Sequence, residues 1–92
     1  MDLQIAGKRA LVTGGSKGIG KAVAEVLAAE GCDLILVARD AQALEDTAQA
    51  IRAKNQVNVE TIAADLSSDA AVKSVVTQVG EIDILVNNAG AI

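Results

Sequence analysis

The residues best suited to chemistry form a glycine-rich segment, residues 13–20, with the sequence Thr-Gly-Gly-Ser-Lys-Gly-Ile-Gly. Three motifs overlap on it, and each implies a different chemistry. Gly14, Ser16 and Gly18 match G-x-S-x-G, the turn that presents the nucleophilic serine of some hydrolases. That chemistry requires a histidine base, and the chain contains no histidine. The hydrolase interpretation therefore lacks its base, unless a histidine lies outside these residues.

A second interpretation is a P-loop, which binds the phosphates of a nucleotide. Gly15, Gly20 and Lys21 match G-x-x-x-x-G-K, but Ala22 stands where a serine or threonine would bind magnesium. No predicted strand ends in the aspartate that holds the metal in such proteins. A P-loop-like phosphate binder without redox chemistry stays the second alternative.

The third interpretation is a dinucleotide-binding turn with glycines at Gly14, Gly18 and Gly20. Gly14 would allow the tight exit from a strand, Gly18 would let the backbone approach a diphosphate, and Gly20 would let a helix pack closely on the sheet. Free N–H groups at the start of that helix would then face the anion. The competing interpretation is a structural turn that binds nothing.

Composition excludes several other functions. The chain has 92 residues, a net charge of −4, no aromatic residue and one cysteine, Cys32. Without histidine, a Cys/His metal site or nucleophile pair cannot form, and one cysteine allows no internal disulfide. The acidic balance and the lack of stacking side chains argue against nucleic acid as a partner. We expect no metal, no nucleic acid and a buried, inert Cys32.

A membrane partner is not expected either. The longest aliphatic run, residues 34–38, is far shorter than the roughly 20 residues of a spanning helix. The first residues, Met-Asp-Leu-Gln, lack the basic start and apolar core of a signal peptide. We therefore expect a cytoplasmic protein.

The elements that position the glycine segment follow from hydrophobic periodicity. Apolar β-prone runs predict strands, one of them continuous enough to be covered on both faces, and apolar stripes at helical spacing predict helices. Glycines or capping residues bound the helices. The predicted strands are residues 9–13, 33–38, 57–63 and 82–86, and the predicted helices run from Ile19 to Gly31, over 41–54, and from the Ser67-Ser68-Asp69 cap to Gly80.

Alternating strands and helices with short connections predict an α/β fold with a parallel sheet. Right-handed crossovers then give the strand order 3-2-1-4, with two helices on one face and the third on the other. Residues 1–92 form one domain, a partial doubly wound sheet. Ligands of such sheets bind at the carboxyl ends of the strands where the order reverses. Residues 14–20 and 87–90 both reach that point.

Three segments together resemble the short-chain dehydrogenase/reductase family: residues 13–20, Asp65-Leu66, and Asn87-Asn88-Ala89-Gly90. The resemblance covers the whole chain but only the amino-terminal part of a family member, which is normally more than twice as long. It implies a Rossmann-like, NAD(P)-binding portion of an oxidoreductase. An isolated nucleotide-binding module is the alternative.

The resemblance also implies roles for individual residues. The loop backbone and Ser16 would hold the cofactor phosphates, with the N–H of Ile19 at the diphosphate. Asp65 and Leu66 would border the adenine, although Asp65 could simply interact with the dipole of the following helix. Asn88, Ala89 and Gly90 would line the ribose on the nicotinamide side, although Asn88 could be a turn residue. Asn87 would tie neighbouring strands together.

The end of the second strand indicates which dinucleotide is bound. An acidic residue there would bind the ribose 2′-hydroxyl of NAD, but the position is Ala38, followed by Arg39. The guanidinium suits a 2′-phosphate, and Lys17 can add a second positive charge, so NADP is favoured over NAD. Asp40 is expected to cap the second helix. The full candidate cofactor-binding set is Gly14, Ser16, Lys17, Gly18, Ile19, Gly20, Arg39, Asp65, Leu66, Asn88, Ala89 and Gly90.

The reaction that the resemblance implies is hydride transfer between the nicotinamide and a small carbonyl or alcohol. In the family a tyrosine acts as the acid/base, helped by a lysine and a serine. The chain contains no tyrosine, so we assign no catalytic residue and expect these residues alone to be inactive. Family members are often oligomers, and a homo-oligomer is expected.

Overall fold

Four strands alternate with three helices in the part of the chain that the computed structural model describes, residues 5–14 and 18–88. Three elements, β1, β2 and α2, have the bounds that the sequence predicts. The elements are β1 Arg9–Thr13, α1 Gly18–Ala29, β2 Asp33–Ala38, α2 Ala41–Lys54, β3 Val59–Ala63, α3 Asp69–Val79 and β4 Ile84–Asn87.

The strands form one parallel sheet in the order β3-β2-β1-β4. In the centre of the sheet, Val12 of β1 lies between Leu36 of β2 and Val86 of β4. The sheet places the ends of β1 and β4 side by side, because Thr13 is paired with Asn87. The predicted strand order and switch point are confirmed.

Helices cover both faces of the sheet, as the right-handed crossover rule predicts. On one face α1 and α2 pack over alternate residues of the strands. The core on that face consists of Ala10, Val12, Ala24, Leu27, Ala28, Cys32, Leu34, Leu36, Leu44, Ala48, Ile51 and Val59. On the other face α3 contributes Val75 and Val79, which pack against Leu11, Ile35 and Val37. The partial doubly wound architecture is therefore confirmed.

Two strands differ from their predicted bounds, and Asp33 and Arg9 explain why. β3 begins at Val59 rather than at residue 57, because the N–H of Asn58 donates to the Asp33 carboxylate at 3.0 Å. β4 covers Ile84–Asn87 rather than residues 82–86. The Arg9 guanidinium binds the carbonyl oxygen of Glu81 at 2.5 Å, so the chain just before β4 is held as a turn.

Side chains cap two of the helices as predicted. Asp40 caps α2 by accepting from the N–H of Ala43 at 3.1 Å, and Ser68 caps α3 by accepting from the N–H of Ala71 at 3.3 Å.

Cys32 is fully buried, and burial raises the pKa of its thiol. The expectation that Cys32 is buried is met. In the described ranges, every helix is too short or too polar to cross a membrane.

Candidate functional site

The hydroxyl of Thr13 joins the carboxyl ends of β1 and β4. It donates to the side-chain oxygen of Asn87 at 3.0 Å and accepts from the backbone N–H of Asn88 at 2.8 Å. Asn87 therefore ties the two strands together, as the sequence resemblance implies. The sequence alone predicts no structural role for Thr13. A hydroxyl residue at a strand end, just before a glycine, was the only available signal.

Gly14 and Gly20 hold α1 close to the end of β1. Gly14 has a φ of +67°, which L side chains rarely adopt. A Cβ on Gly20 would lie 2.3 Å from the carbonyl oxygen of Gly14 and 2.9 Å from the side-chain nitrogen of Asn88. Only glycine permits this approach, so the close helix packing predicted for Gly20 is present. The same contact brings Asn88 to the start of α1.

The amino terminus of α1 is open above Gly18. Gly18 is the first residue of the helix, has a φ of +61°, and a Cβ built there would meet no atom within 4 Å. Ile19 follows with 74% of its side chain exposed. The first N–H groups of a helix have no partner within the helix and favour anions. The geometry therefore fits a diphosphate. Ser16 and Lys17 lie outside the described residues.

Arg39 and Asp65 lie together at the ends of β2 and β3. The N–H of Ala64 donates to the carbonyl oxygen of Ala38 at 2.9 Å, and Arg39 and Asp65 each follow one residue later. Both side chains are exposed. Among residues 5–14 and 18–88, the Arg39 guanidinium makes no hydrogen bond or ion pair. Its donors are therefore available to a ligand on this side.

Ser67 holds the carboxylate of Asp65. One oxygen, Oδ1, accepts from the Ser67 hydroxyl at 2.7 Å and from the Ser67 backbone N–H at 3.0 Å. These bonds, chiefly that of the hydroxyl, lower the pKa of Asp65, and the charge of Arg39 lowers it further. Asp65 is thus held as an anion. The sequence analysis gave Ser67 only a surface or capping role, although Asp-x-Ser spacing is typical of such a local turn.

The remaining candidates are distributed as follows. Leu66 is half-buried and packs against the core beneath α3. Asn88 is half-buried at the end of β4, over Gly20. Ala89 and Gly90 lie outside the described residues. The structure thus brings Gly14, Gly18, Ile19, Gly20 and Asn88 together at the switch point, and it brings Arg39 and Asp65 together at the ends of β2 and β3.

Comparison with known proteins gives similar oxidoreductases. The rhamnolipids biosynthesis 3-oxoacyl-(acyl-carrier-protein) reductase of Pseudomonas aeruginosa is 46% identical over 90 residues, which cover 94% of this chain and 34% of that protein. L-xylulose reductase of Mus musculus is 39% identical over 89 residues, covering 97% of this chain and 34% of that protein. The crystal structure of L-sorbose reductase from Gluconobacter frateurii, complexed with NADPH and L-sorbose, superimposes with a TM-score of 0.86. Its sequence identity is 45%, and the match covers 99% of this chain and 36% of that one.

These matches extend over nearly all of this chain, but the chain spans only about a third of the length of the curated relatives. The family model described as short chain dehydrogenase matches residues 8–92. That range contains the glycine turn, Arg39, the Asp65–Ser67 pair and the Asn87-Asn88 strand end. The chain belongs to the short-chain dehydrogenase family, of which it represents the amino-terminal part.

Proposed function

We propose that this chain is the cofactor-binding part of an NADP-dependent oxidoreductase that transfers hydride between the nicotinamide and a small carbonyl or alcohol. The observation that carries the proposal is the open helix terminus at Gly18. There a positive φ, a missing side chain and helix N–H groups that have no partner within the helix coincide at the switch point of the sheet.

The order of the described candidate residues along the carboxyl ends of the strands fits the parts of a dinucleotide. The first N–H groups of α1, including that of Ile19, would bind the diphosphate, with Ser16 and the glycine backbone. Asp65 and Leu66 would border the adenine, and Asn88, Ala89 and Gly90 the ribose on the nicotinamide side. When bound, the cofactor supplies the hydride chemistry, and this chain supplies binding and orientation.

The choice of NADP rests on Arg39. Its guanidinium follows β2 directly, is exposed, and has no hydrogen-bond partner among the described residues. A guanidinium can form two parallel bonds to a 2′-phosphate, and Lys17 would add charge nearby. The similar L-sorbose reductase is complexed with NADPH, which supports the assignment.

The diphosphate site is tested by a matched pair of glycine substitutions. Gly18 and Gly80 have similar φ values, +61° and +66°, and neither would place a Cβ within 4 Å of another atom. Alanine at either position places a side chain at a positive φ, so both variants carry a backbone cost. We expect Gly18→Ala to weaken NADPH binding about tenfold or more, because the new methyl group displaces an anion contact. Gly80→Ala, at the end of α3, should bind as the unmutated chain does.

Calorimetric titration with NADPH measures both effects. Equal losses in the two variants would mean that strain alone is responsible, and the diphosphate assignment would be rejected. Binding of a simple phosphate with the same affinity as NADPH would favour a P-loop-like phosphate binder instead.

The NADP assignment is tested at Arg39. The unmutated chain should bind NADPH more tightly than NADH, and Arg39→Asp should abolish or invert that preference, since a carboxylate repels the phosphate and accepts from a ribose hydroxyl. The dissociation constants of NADPH and NADH, measured for the unmutated chain and for Arg39→Asp, test the assignment. Equal constants in the unmutated chain contradict the proposal.

We further propose a cytoplasmic location and a homo-oligomeric assembly for the protein. The buried, unpaired thiol of Cys32 is compatible with a reducing compartment. The exposed apolar residues Val76 and Leu85 on one face of the sheet are compatible with burial in an assembly.

A further inference from the structure

The contact between Asp65 and Ser67 has a consequence for Arg39. Arg39 and Asp65 sit one residue beyond the last bond between β2 and β3, from Ala64 N–H to Ala38 oxygen. A carboxylate at this place is the natural partner of a guanidinium, because the two can form a pair of parallel hydrogen bonds. Such a pair is not formed within the described residues.

Ser67, rather than Arg39, binds the Asp65 carboxylate. Its hydroxyl, at 2.7 Å, and its N–H, at 3.0 Å, both donate to the same oxygen of Asp65, Oδ1. A bidentate bond with Arg39 would need both carboxylate oxygens turned toward the guanidinium. One of the two carboxylate oxygens is therefore occupied, and the group is oriented, by a residue of its own turn.

We propose that Ser67 is a positioning residue for cofactor selectivity: by occupying the Asp65 carboxylate it prevents a closed Arg39–Asp65 pair and leaves the Arg39 guanidinium free for the 2′-phosphate of the cofactor. The inference rests on the proposed NADP function. Ser67 acts in this proposal through Asp65 and Arg39. Asp65 still attracts Arg39 at a distance, which keeps the guanidinium at this edge of the sheet without occupying its donors.

The test is the ratio of NADH to NADPH dissociation constants. Contacts to the adenine, ribose and diphosphate are common to both cofactors, so the ratio reports only on the 2′-phosphate. In Ser67→Ala the hydroxyl bond is lost and Asp65 can close on Arg39. We expect this ratio to fall about threefold to tenfold, the effect of roughly one hydrogen bond, because NADPH binding weakens more than NADH binding does.

Three further variants separate this role from a structural one. Ser67→Thr keeps the hydroxyl and should retain the ratio. Ser68→Ala removes the cap of α3 one residue later, and it should lower helix stability without changing the ratio. In an Asp65→Asn background the competing charge is absent, so adding Ser67→Ala should no longer change the ratio.

A ratio that stays the same within twofold in Ser67→Ala, or falls equally in Ser68→Ala, overturns the proposal. A measurement on the free chain keeps the result independent of cofactor binding. Nitrogen-15 NMR of the Arg39 side chain should show slowed guanidinium rotation in Ser67→Ala as the pair closes, and unchanged rotation overturns the proposal. If the unmutated chain shows no preference for NADPH, the proposed function of Arg39 fails, while the NMR result still decides the role of Ser67.

Discussion

The two faces of the sheet are covered to very different extents. On one face α1 and α2 each bury four residues, and Leu36 at its centre is completely inaccessible. On the other face α3 buries only Val75 and Val79. Leu85 of β4, which lies beside α3, remains 60% exposed, and Val76 of α3 itself remains 62% exposed. One face is a finished core, and the other is partly open.

The difference separates the residues that stabilise the fold from the residues that stay available for further contacts. The closed face supplies most of the burial that holds the strands in register, and it positions the glycine turn through α1. The open face has apolar side chains without cover from the described residues. The proposed cofactor site lies along the strand ends between the two faces, so its shape depends on the closed face.

The largest expected effect compares adjacent residues of β2. Leu36 faces α1 and α2, whereas Ile35 faces α3. We expect Leu36→Ala to lower the free energy of unfolding by about 4 kcal/mol and Ile35→Ala by about 2 kcal/mol, because the open face can collapse or hydrate around a smaller side chain. Urea unfolding of both variants measures the difference. Equal losses would mean that the two faces contribute alike.

The helix caps give the next effect. Asp40→Ala and Ser68→Ala each remove one capping bond, at a cost of about 0.5–2 kcal/mol. Because α2 is anchored by four buried residues and α3 by two, we expect the loss at Ser68 to appear as local opening of α3. Hydrogen exchange should show faster exchange confined to α3 in Ser68→Ala, and a more uniform change in Asp40→Ala. Uniform exchange in both variants would contradict the comparison.

A smaller effect on stability is expected at the open face itself. Leu85→Lys should change the free energy of unfolding by no more than about 0.5 kcal/mol, since most of the side chain is already in water. It should nevertheless reduce self-association, because a charge then interrupts the apolar surface next to the edge of β4, with which no strand of residues 5–14 or 18–88 pairs. Sedimentation across a concentration series tests this. Glu60→Gln, an exposed change on β3 that raises the net charge by the same one unit, controls for net charge.

The smallest effect concerns Asp65, in the turn that leads into α3. Bonds from Ser67 lower the pKa of this carboxyl in the folded chain, so they stabilise the fold above the ordinary carboxyl pKa, and the contribution disappears as pH falls through the lowered value. We expect Ser67→Ala to lower Tm slightly at neutral pH, with the difference vanishing in acid. Melting curves from about pH 7 to about pH 2 measure it. A difference that persists at the acidic end would assign the effect to something other than the carboxylate.

Much of the fold could be predicted from the sequence, because local patterns and global topology agree. The continuous apolar run of β2 and the stripe of α2 each have one consistent interpretation, and the crossover rule then fixes the strand order. The bounds of β3 and β4 were wrong by two residues or fewer at each end. They depend on Asp33 and Arg9, whose partners are distant in sequence.

The site was predictable where a residue acts through its backbone or its position. Gly14 and Gly20 lie where the motif places them, and Arg39 follows β2. The roles of Thr13 and Ser67 were missed, because each acts through a hydroxyl whose partner is known only from the folded arrangement. The cofactor-binding roles of all the candidates stay predictions: Gly14, Ser16, Lys17, Gly18, Ile19, Gly20, Arg39, Asp65, Leu66, Asn88, Ala89 and Gly90.

The absence of a side chain at Gly20 lets two parts of the candidate site contact each other closely enough to move together. With the Gly14 carbonyl against the first turn of α1 and Asn88 resting on the same spot, the turn after β1 and the end of β4 cannot shift independently. The diphosphate and the nicotinamide-side ribose of a dinucleotide bound there would meet a surface whose shape is set before the ligand arrives. Only the adenine end, with its exposed arginine, would have to adjust on binding.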